Sequence, residues 1–258
     1  MTGDTILVTG ARGFIGRAVT QCLLEDGYAI RGTSRRPVPP GSGNDARVQY
    51  RELDLYAGGP KLDGLLAGVD AVVHLAAHMH VDGLRRIVSG RFHQVNALGT
   101  QRLAAEAVRC GVRRFIFMSS IGVNGDQSPQ NGGTVHRFNE NDGPHPNSAY
   151  ARSKFEAEQR LRWICAGSSL ECTILRAPLV FGAGVIGSFR QLLHGIAAGL
   201  PWPVRDVRAE RSMVYVENLA DLVAQCVKVP AAANALFLLA DFDVAVPDLI
   251  RRLAGLMD

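Results

Sequence analysis

The chain has 258 residues, 47% hydrophobic and 20% charged, with a formal net charge of +4 and a pI near 8.9. That is enough for one large buried core and a small appendage, and its mostly dispersed basic residues argue against nucleic-acid or membrane partners while suiting an anionic small ligand. Five cysteines without a CxxC pair, with Cys22, Cys110 and Cys226 in apolar helical patterns, point to reduced core thiols in the cytoplasm rather than to a metal site.

Thr5 to Val8 is a β-branched, apolar run, expected to be a buried strand, and its closeness to Met1 leaves no room for a signal peptide. Gly10, Gly13 and Gly16 then punctuate the passage into a helix that begins at Phe14 and Ile15. Glycine lets the backbone turn sharply and approach a ligand, and the free amides and positive dipole end of a new helix favour a pyrophosphate. The spacing is TGxxGxxG, not the GxGxxG of the commoner dinucleotide fingerprint. Ile15, Val19, Leu23 and Leu24 form a helical stripe stopped by Gly27, and Tyr28 to Thr33 reads as a second strand.

A proline- and glycine-rich loop follows, then a short strand near Val48 to Leu53, a helix around Leu62 to Leu66 and a buried strand from Asp70 to Ala77. Val95 to Arg109 is an amphipathic helix, Arg113 to Ser119 a strand, Ser148 to Ile164 a long helix and Leu170 to Arg176 a further strand. This alternation predicts an α/β chain: a Rossmann-type doubly wound parallel sheet over residues 1–176, with residues 177–258 adding a small C-terminal substrate-binding cap and the last sheet elements. No apolar run approaches the roughly 18 residues of a membrane span. The loop from Gly122 to Asn147 is long for such a domain, and loops of this kind are usually functional or mobile.

In dinucleotide folds the end of the second strand faces the adenine ribose, where an acidic residue accepts from a free 2′-hydroxyl. Here that place holds Ser34, Arg35 and Arg36, with Arg12 within reach from the glycine turn. A hydroxyl and guanidinium forks suit a 2′-phosphate, so NADP(H) is favoured over NAD(H). Asp54, with Leu55 just after the third strand, is placed to accept from the adenine amino group, or else to form a turn.

Tyr150 and Lys154 stand four residues apart on one helix face. A cation about 4 Å from a phenol, at an effective dielectric near 20, favours the phenolate by roughly 4 kcal/mol before desolvation, which would bring Tyr150 towards acid–base service near neutrality. Ser120, ending the fifth strand, is placed to donate to the same substrate oxygen.

With these pieces in order, the chain resembles the extended short-chain dehydrogenase/reductases, the NAD(P)-dependent epimerases, dehydratases and reductases of nucleotide sugars. The resemblance runs from Thr5 to about Ile250 and rests on TGARGFIG, HLAA (His74–Ala77), NALGT (Asn96–Thr100), SSIGVNG (Ser119–Gly125), YARSK (Tyr150–Lys154), RAPLVFG (Arg176–Gly182) and RSMVYVENLAD (Arg211–Asp221). It implies that Ser120, Tyr150 and Lys154 are catalytic and that Asn96 supports the active-site helix. It implies too that Leu75, Ala76, Ala77 and Pro178 line the cofactor, and that Arg211 clamps a nucleotide-sugar diphosphate. Ser188 stands where related sequences often have asparagine near that diphosphate, and His78 and His80 are placed to touch substrate. The family often forms homodimers through the helices bearing Tyr150 and Asn96.

Dehydratases of the family carry an Asp-Glu pair after the catalytic Ser or Thr, since eliminating water needs an added acid and base. Here Ile121 and Gly122 occupy those places, and Val123, Asn124 and Gly125 replace the family's VYG. The segment resembles the branch that acts at C4 of UDP-linked amino sugars in surface-polysaccharide synthesis. The leading expectation is therefore an NADPH-dependent reductase of a UDP-4-keto-6-deoxy-hexosamine. A UDP-glucose or UDP-N-acetylglucosamine 4-epimerase is the alternative, and a non-catalytic NADP(H)-binding sensor is the alternative of another class. The family usually continues some tens of residues past Leu256, so the expectation includes a truncated chain or a reduced cap.

Overall fold

The computed structural model describes residues 4–39, 45–56, 62–79, 89–126, 130–131, 134–200 and 210–256. His80, one of the two candidate substrate histidines, lies outside them.

Period-two alternation builds the central sheet. In β1 (Thr5–Thr9), Ile6 and Val8 enter one core and Leu7 the other; in β4 (Ala71–His74), Ala71 and Val73 oppose Val72; in β5 (Arg114–Ser120), Ile116 and Met118 oppose Phe115 and Phe117. A strand with apolar residues on both faces must be covered on both, which only crossover helices can do for parallel neighbours. With β2 (Ala29–Ser34), β3 (Val48–Glu52), β8 (Glu171–Ala177) and β11 (Leu236–Leu238), the sheet runs β11-β8-β5-β4-β1-β2-β3, every pair parallel. Helices α1 (Phe14–Glu25) and α6 (Val216–Lys228) pack together over one face, while α3 (Gly99–Arg109) and α4 (Ala149–Ala166) cover the other. Leu7, Leu103, Phe117 and Leu161 are fully enclosed, and burying a side chain of that size contributes about 1.5–3 kcal/mol.

The expected class, a doubly wound parallel sheet, is thus the observed one. The stop at Gly27 is also as expected: its φ of 91° lets the chain reverse while the Gly27 and Tyr28 amides donate to the Leu24 and Leu23 carbonyls. The expected helix at Leu62 to Leu66 is instead a turn, closed by Leu65 N–H donating to the Leu62 carbonyl at 2.9 Å; five residues are too few to offset helix nucleation. The expected strand from Asp70 to Ala77 pairs only through His74, and Leu75 to Ala77 leave the ladder at the sheet's carboxyl end.

The helix expected at Val95 begins earlier, as α2 (Ser89–Phe92), and passes through a π-helical segment, His93–Leu98, before α3. The long loop after β5 opens on a 3-10 turn, Ile121–Val123, and includes a small antiparallel pair, β6 (Gln130–Asn131) with β7 (Thr134–Val135). It is held down where His145 N–H donates to the Val123 carbonyl at 2.9 Å and Arg137 pairs with Asp243 at 2.7 Å.

Beyond β8 the chain forms β9 (Leu179–Phe181), α5 (Ser188–Ala197), β10 (Glu210–Tyr215), β12 (Phe242–Ala245) and α7 (Val246–Ala254). β9, β10 and β12 make a separate three-stranded sheet, whereas α6 and β11 return to the main one. All five cysteines are free thiols. Among the described residues, no helix is long and apolar enough to cross a membrane.

Candidate active site

The order of strands reverses between β1 and β4, and the carboxyl ends of strands at such a switch form a crevice. On the β1 side, Gly10 turns at φ 71° with its Cα so near the next strand that a Cβ there would stand 3.1 Å from Ala76 N. Gly13 N–H donates to the Gly10 carbonyl at 2.8 Å, and a Cβ on Gly16 would meet that carbonyl oxygen at 2.1 Å. Gly13 caps α1 without a side chain, and no acidic residue lies in the first turn. The positive end of α1 is therefore open above a cradle that only glycine fits, a feature suited to a dinucleotide pyrophosphate.

A buried network fixes the other wall. Thr100 Oγ1 donates to the Asn96 carbonyl at 2.6 Å, so it accepts from His74 Nε2 at 2.9 Å. His74 Nδ1 then accepts from Thr9 Oγ1 at 2.7 Å, and that hydroxyl accepts from Ala76 N at 3.1 Å. Each polar atom has a complementary partner, which assigns the proton to Nε2. Burial holds the imidazole down to about 3, with the Lys154 charge acting in the same direction.

The π-helical segment places Asn96 inside the fold. The Gly99 amide reaches back five residues to the Gln94 carbonyl, and this wider turn accompanies a buried Asn96 side chain. Asn96 Oδ1 accepts from His78 N at 2.7 Å, while Nδ2 donates to the His78 carbonyl at 3.1 Å and to Ser153 Oγ at 3.0 Å. Ser153 Oγ donates to the Tyr150 carbonyl at 2.7 Å. One amide thereby joins the segment after β4 to the first turn of α4.

Ser148 caps α4, its Oγ accepting from Ala151 N at 3.0 Å. The Tyr150 ring meets Phe92 edge-on at 6.2 Å, and His78 packs on Phe92 at 5.1 Å. Ser120 Oγ accepts from Gly122 N at 3.2 Å. A Cβ on Gly122 would touch both Ser120 Oγ, at 3.4 Å, and the Ala151 side chain, at 3.5 Å, so the hydroxyl lies beside the start of α4. Lys154 is buried with Nζ 4.3 Å from the centre of the Phe117 ring, a cation–π arrangement. Behind it, Glu158 and Arg176 form a buried bidentate pair at 3.0 and 2.7 Å.

The model of the NAD dependent epimerase/dehydratase family matches residues 6–236. The chain belongs to this family. It is 35% identical to the Vibrio cholerae protein named UDP-glucose 4-epimerase, a match covering all of this chain and 78% of that one. It is 29% identical to the Escherichia coli O157:H7 N-acetyl-alpha-D-glucosaminyl-diphospho-ditrans,octacis-undecaprenol 4-epimerase, covering 91% of this chain and 66% of the relative. The solved structure of MoeE5 in complex with UDP-glucose and NAD superposes with a TM-score of 0.81 at 27% identity, covering 98% of this chain and 82% of MoeE5.

As a member of the epimerase/dehydratase family, the chain is an enzyme of the kind that acts on nucleotide sugars. Its structure draws Asn96, Ser120, Tyr150, Lys154 and His78 into one sheet-end cluster, with Gly10, Ala76 and the start of α1 beside it. Ser34 ends β2, its Oγ accepting from Arg36 N at 3.4 Å, and Arg35, Arg36 and Arg12 are exposed. Pro178 joins β8 to β9.

The remaining expected residues are placed as follows. Asp54 is engaged as a turn former, accepting from Tyr56 N at 2.9 Å, and the Leu55 side chain belongs to the core, against Gly99. Ser188 opens α5 and Arg211 lies on β10 opposite Val244; both are exposed.

The acid–base balance also differs from the sequence expectation. Burial raises the Tyr150 phenol to about 12, and burial draws Lys154 down to about 7, against the pull of Glu158. The spacing of the pair is as expected, but desolvation favours the neutral form of each.

The sequence reading passed over Glu158, Arg176 as a partner of α4, and the His74 relay. For Glu158 a signal existed: it is four residues past Lys154, on the face that Lys154 occupies. Removing one partner of such a buried pair costs about 3–5 kcal/mol, because the other charge is left in low dielectric.

Proposed function

We propose that the protein is a 4-epimerase of a UDP-linked sugar. The observation that carries this reading is the 35% identity to a protein named UDP-glucose 4-epimerase along the whole of this chain. Ile121 and Gly122 behind Ser120 support it further, since water elimination would need carboxyl groups there. Ser120 and Tyr150 converge on the oxygen at C4. Tyr150 takes the proton of the C4 hydroxyl as the carbonyl forms and returns it afterwards, Ser120 donates a hydrogen bond to that oxygen, and Lys154 stabilises the phenolate. Gly10, Gly13, Gly16 and Ala76 hold the dinucleotide, which when bound supplies the reversible hydride acceptor at C4. Asn96 keeps the tyrosine helix in register with that wall.

A second reading, NADPH-dependent reduction of a UDP-4-keto-6-deoxy-hexosamine, is favoured by Ser34, Arg35 and Arg36 at the end of β2 and by the SSIGVNG segment. An epimerase returns the hydride it removes, so its cofactor turns over without net consumption. Incubation of the purified protein with UDP-glucose is expected to yield UDP-galactose with no change in reduced-nicotinamide absorbance. Failure of both UDP-glucose and UDP-N-acetylglucosamine to interconvert, together with loss of that absorbance when NADPH and a 4-keto sugar are supplied, would replace the epimerase by the reductase.

The arginines also carry our proposal of NADP(H) preference. Arg35→Asp is expected to weaken NADP(H) binding at least tenfold, about 1.4 kcal/mol, and to spare NAD(H), because a carboxylate repels the 2′-phosphate and accepts from the 2′-hydroxyl. Calorimetric titration of both cofactors against wild type and variant reads this directly. An unchanged preference removes Arg35 from the phosphate site.

A further inference from the structure

Glu158 sits on the buried face of α4, one helical turn after Lys154 and two after Tyr150. Its carboxylate is clamped from two other elements. Arg176 of β8 donates to both oxygens, and Ser119 of β5, the neighbour of Ser120, donates to Oε1. Arg176 Nη1 donates in turn to Asn124 Oδ1 at 2.9 Å, in the segment after Ser120. All four residues are at most 4% exposed.

We infer that Glu158 is the positioning residue of this site: its fixed negative charge holds the Lys154 ammonium in its protonated form, and its clamp ties the strand of Ser120 to the helix of Tyr150. The inference rests on the reading of Tyr150 and Lys154 as the acid–base pair. The Glu158–Arg176 ion pair is buried, and in such surroundings the field of a carboxylate on a neighbouring cation is strong.

Among the described residues, several groups face Lys154. From β5 comes the Phe117 ring, and from β4 comes His74, held neutral by its burial. From α4 itself come Tyr150 and Glu158, and beyond Glu158 lies the Arg176 cation. Among these groups the anion is Glu158, and it opposes the burial that draws Lys154 down to about 7. Without it, burial would act on Lys154 unopposed, and the lysine would surrender its proton at the pH where the phenolate needs a counter-charge.

The chain's lysines are Lys61, Lys154 and Lys228, so protein labelled at lysine Cε gives a sparse carbon spectrum in which Lys154→Met identifies the Lys154 signal. Titrating that signal without sugar or added dinucleotide is expected to give a midpoint near 7 in wild type. In Glu158→Gln the midpoint should fall by about one pH unit or more. Because removing one buried charge strands the other, Glu158→Gln with Arg176→Met is the companion variant; losing both charges preserves folding better, and the Lys154 midpoint is again expected to fall. A merely structural role would lower the melting temperature and leave the midpoint where it was. An unchanged midpoint in either variant, with native circular dichroism, overturns the inference. This outcome is distinct from failure of the epimerase reading, which is judged by sugar products alone.

Discussion

Tyr150→Phe is expected to cut turnover by about two orders of magnitude or more while leaving the fold and dinucleotide affinity near wild type. The phenol oxygen is the proposed carrier of the C4 proton, and positioned proton transfer contributes typically 10²–10⁴-fold. The ring that packs edge-on against Phe92 remains in the variant. The tie to Asn96 remains too, because Ser153 bonds the Tyr150 backbone carbonyl rather than the side chain. A selective loss of kcat, with an unchanged melting temperature, separates chemistry from scaffold. Activity within tenfold of wild type would assign the proton transfer to another group. Lys154→Met should lose kcat as well, and its cation–π contact with Phe117 goes with it.

Why the fold was legible and parts of the site were not comes down to range. The faces of β1, β4 and β5 are written in consecutive residues, and the glycine cradle in a stretch of seven, Gly10 to Gly16. The Tyr150–Lys154 pairing is equally local, a single helical turn. What the spacing could not carry was the environment: it placed a cation near a phenol but was silent on burial, which raises one group and lowers the other. The π-helical turn around Asn96 escaped for a related reason, since one extra residue per turn leaves an apolar stripe nearly unchanged. Glu158 looks like an ordinary solvated helix charge until β8 brings Arg176 onto it from 18 positions away. His74 reads as one residue in an apolar strand until Thr9 and Thr100 are seen on either side of its ring.

Gly16→Ala is expected to have a large effect on dinucleotide binding. The new Cβ would stand 2.1 Å from the Gly10 carbonyl oxygen and 2.8 Å from Ala11 Cα, and both are backbone, so the helix must move away from the turn. Overpacking of this kind costs about 1–3 kcal/mol, which for a chain of this size lowers the melting temperature by several degrees, on the order of 2–4 °C per kcal/mol. The displaced amides at the start of α1 would no longer converge on a pyrophosphate, and dinucleotide affinity should fall by more than tenfold, about 1.4 kcal/mol. Gly27→Ala, at the other end of the same helix, supplies the comparison. Its Cβ meets nothing within 4 Å, but φ is 91°, so the variant should lose stability through backbone strain alone and keep its affinity. If both variants lose stability and both still bind the dinucleotide as wild type does, the turn from Gly10 to Gly16 is a structural corner only, and the cofactor must be sought elsewhere on the sheet.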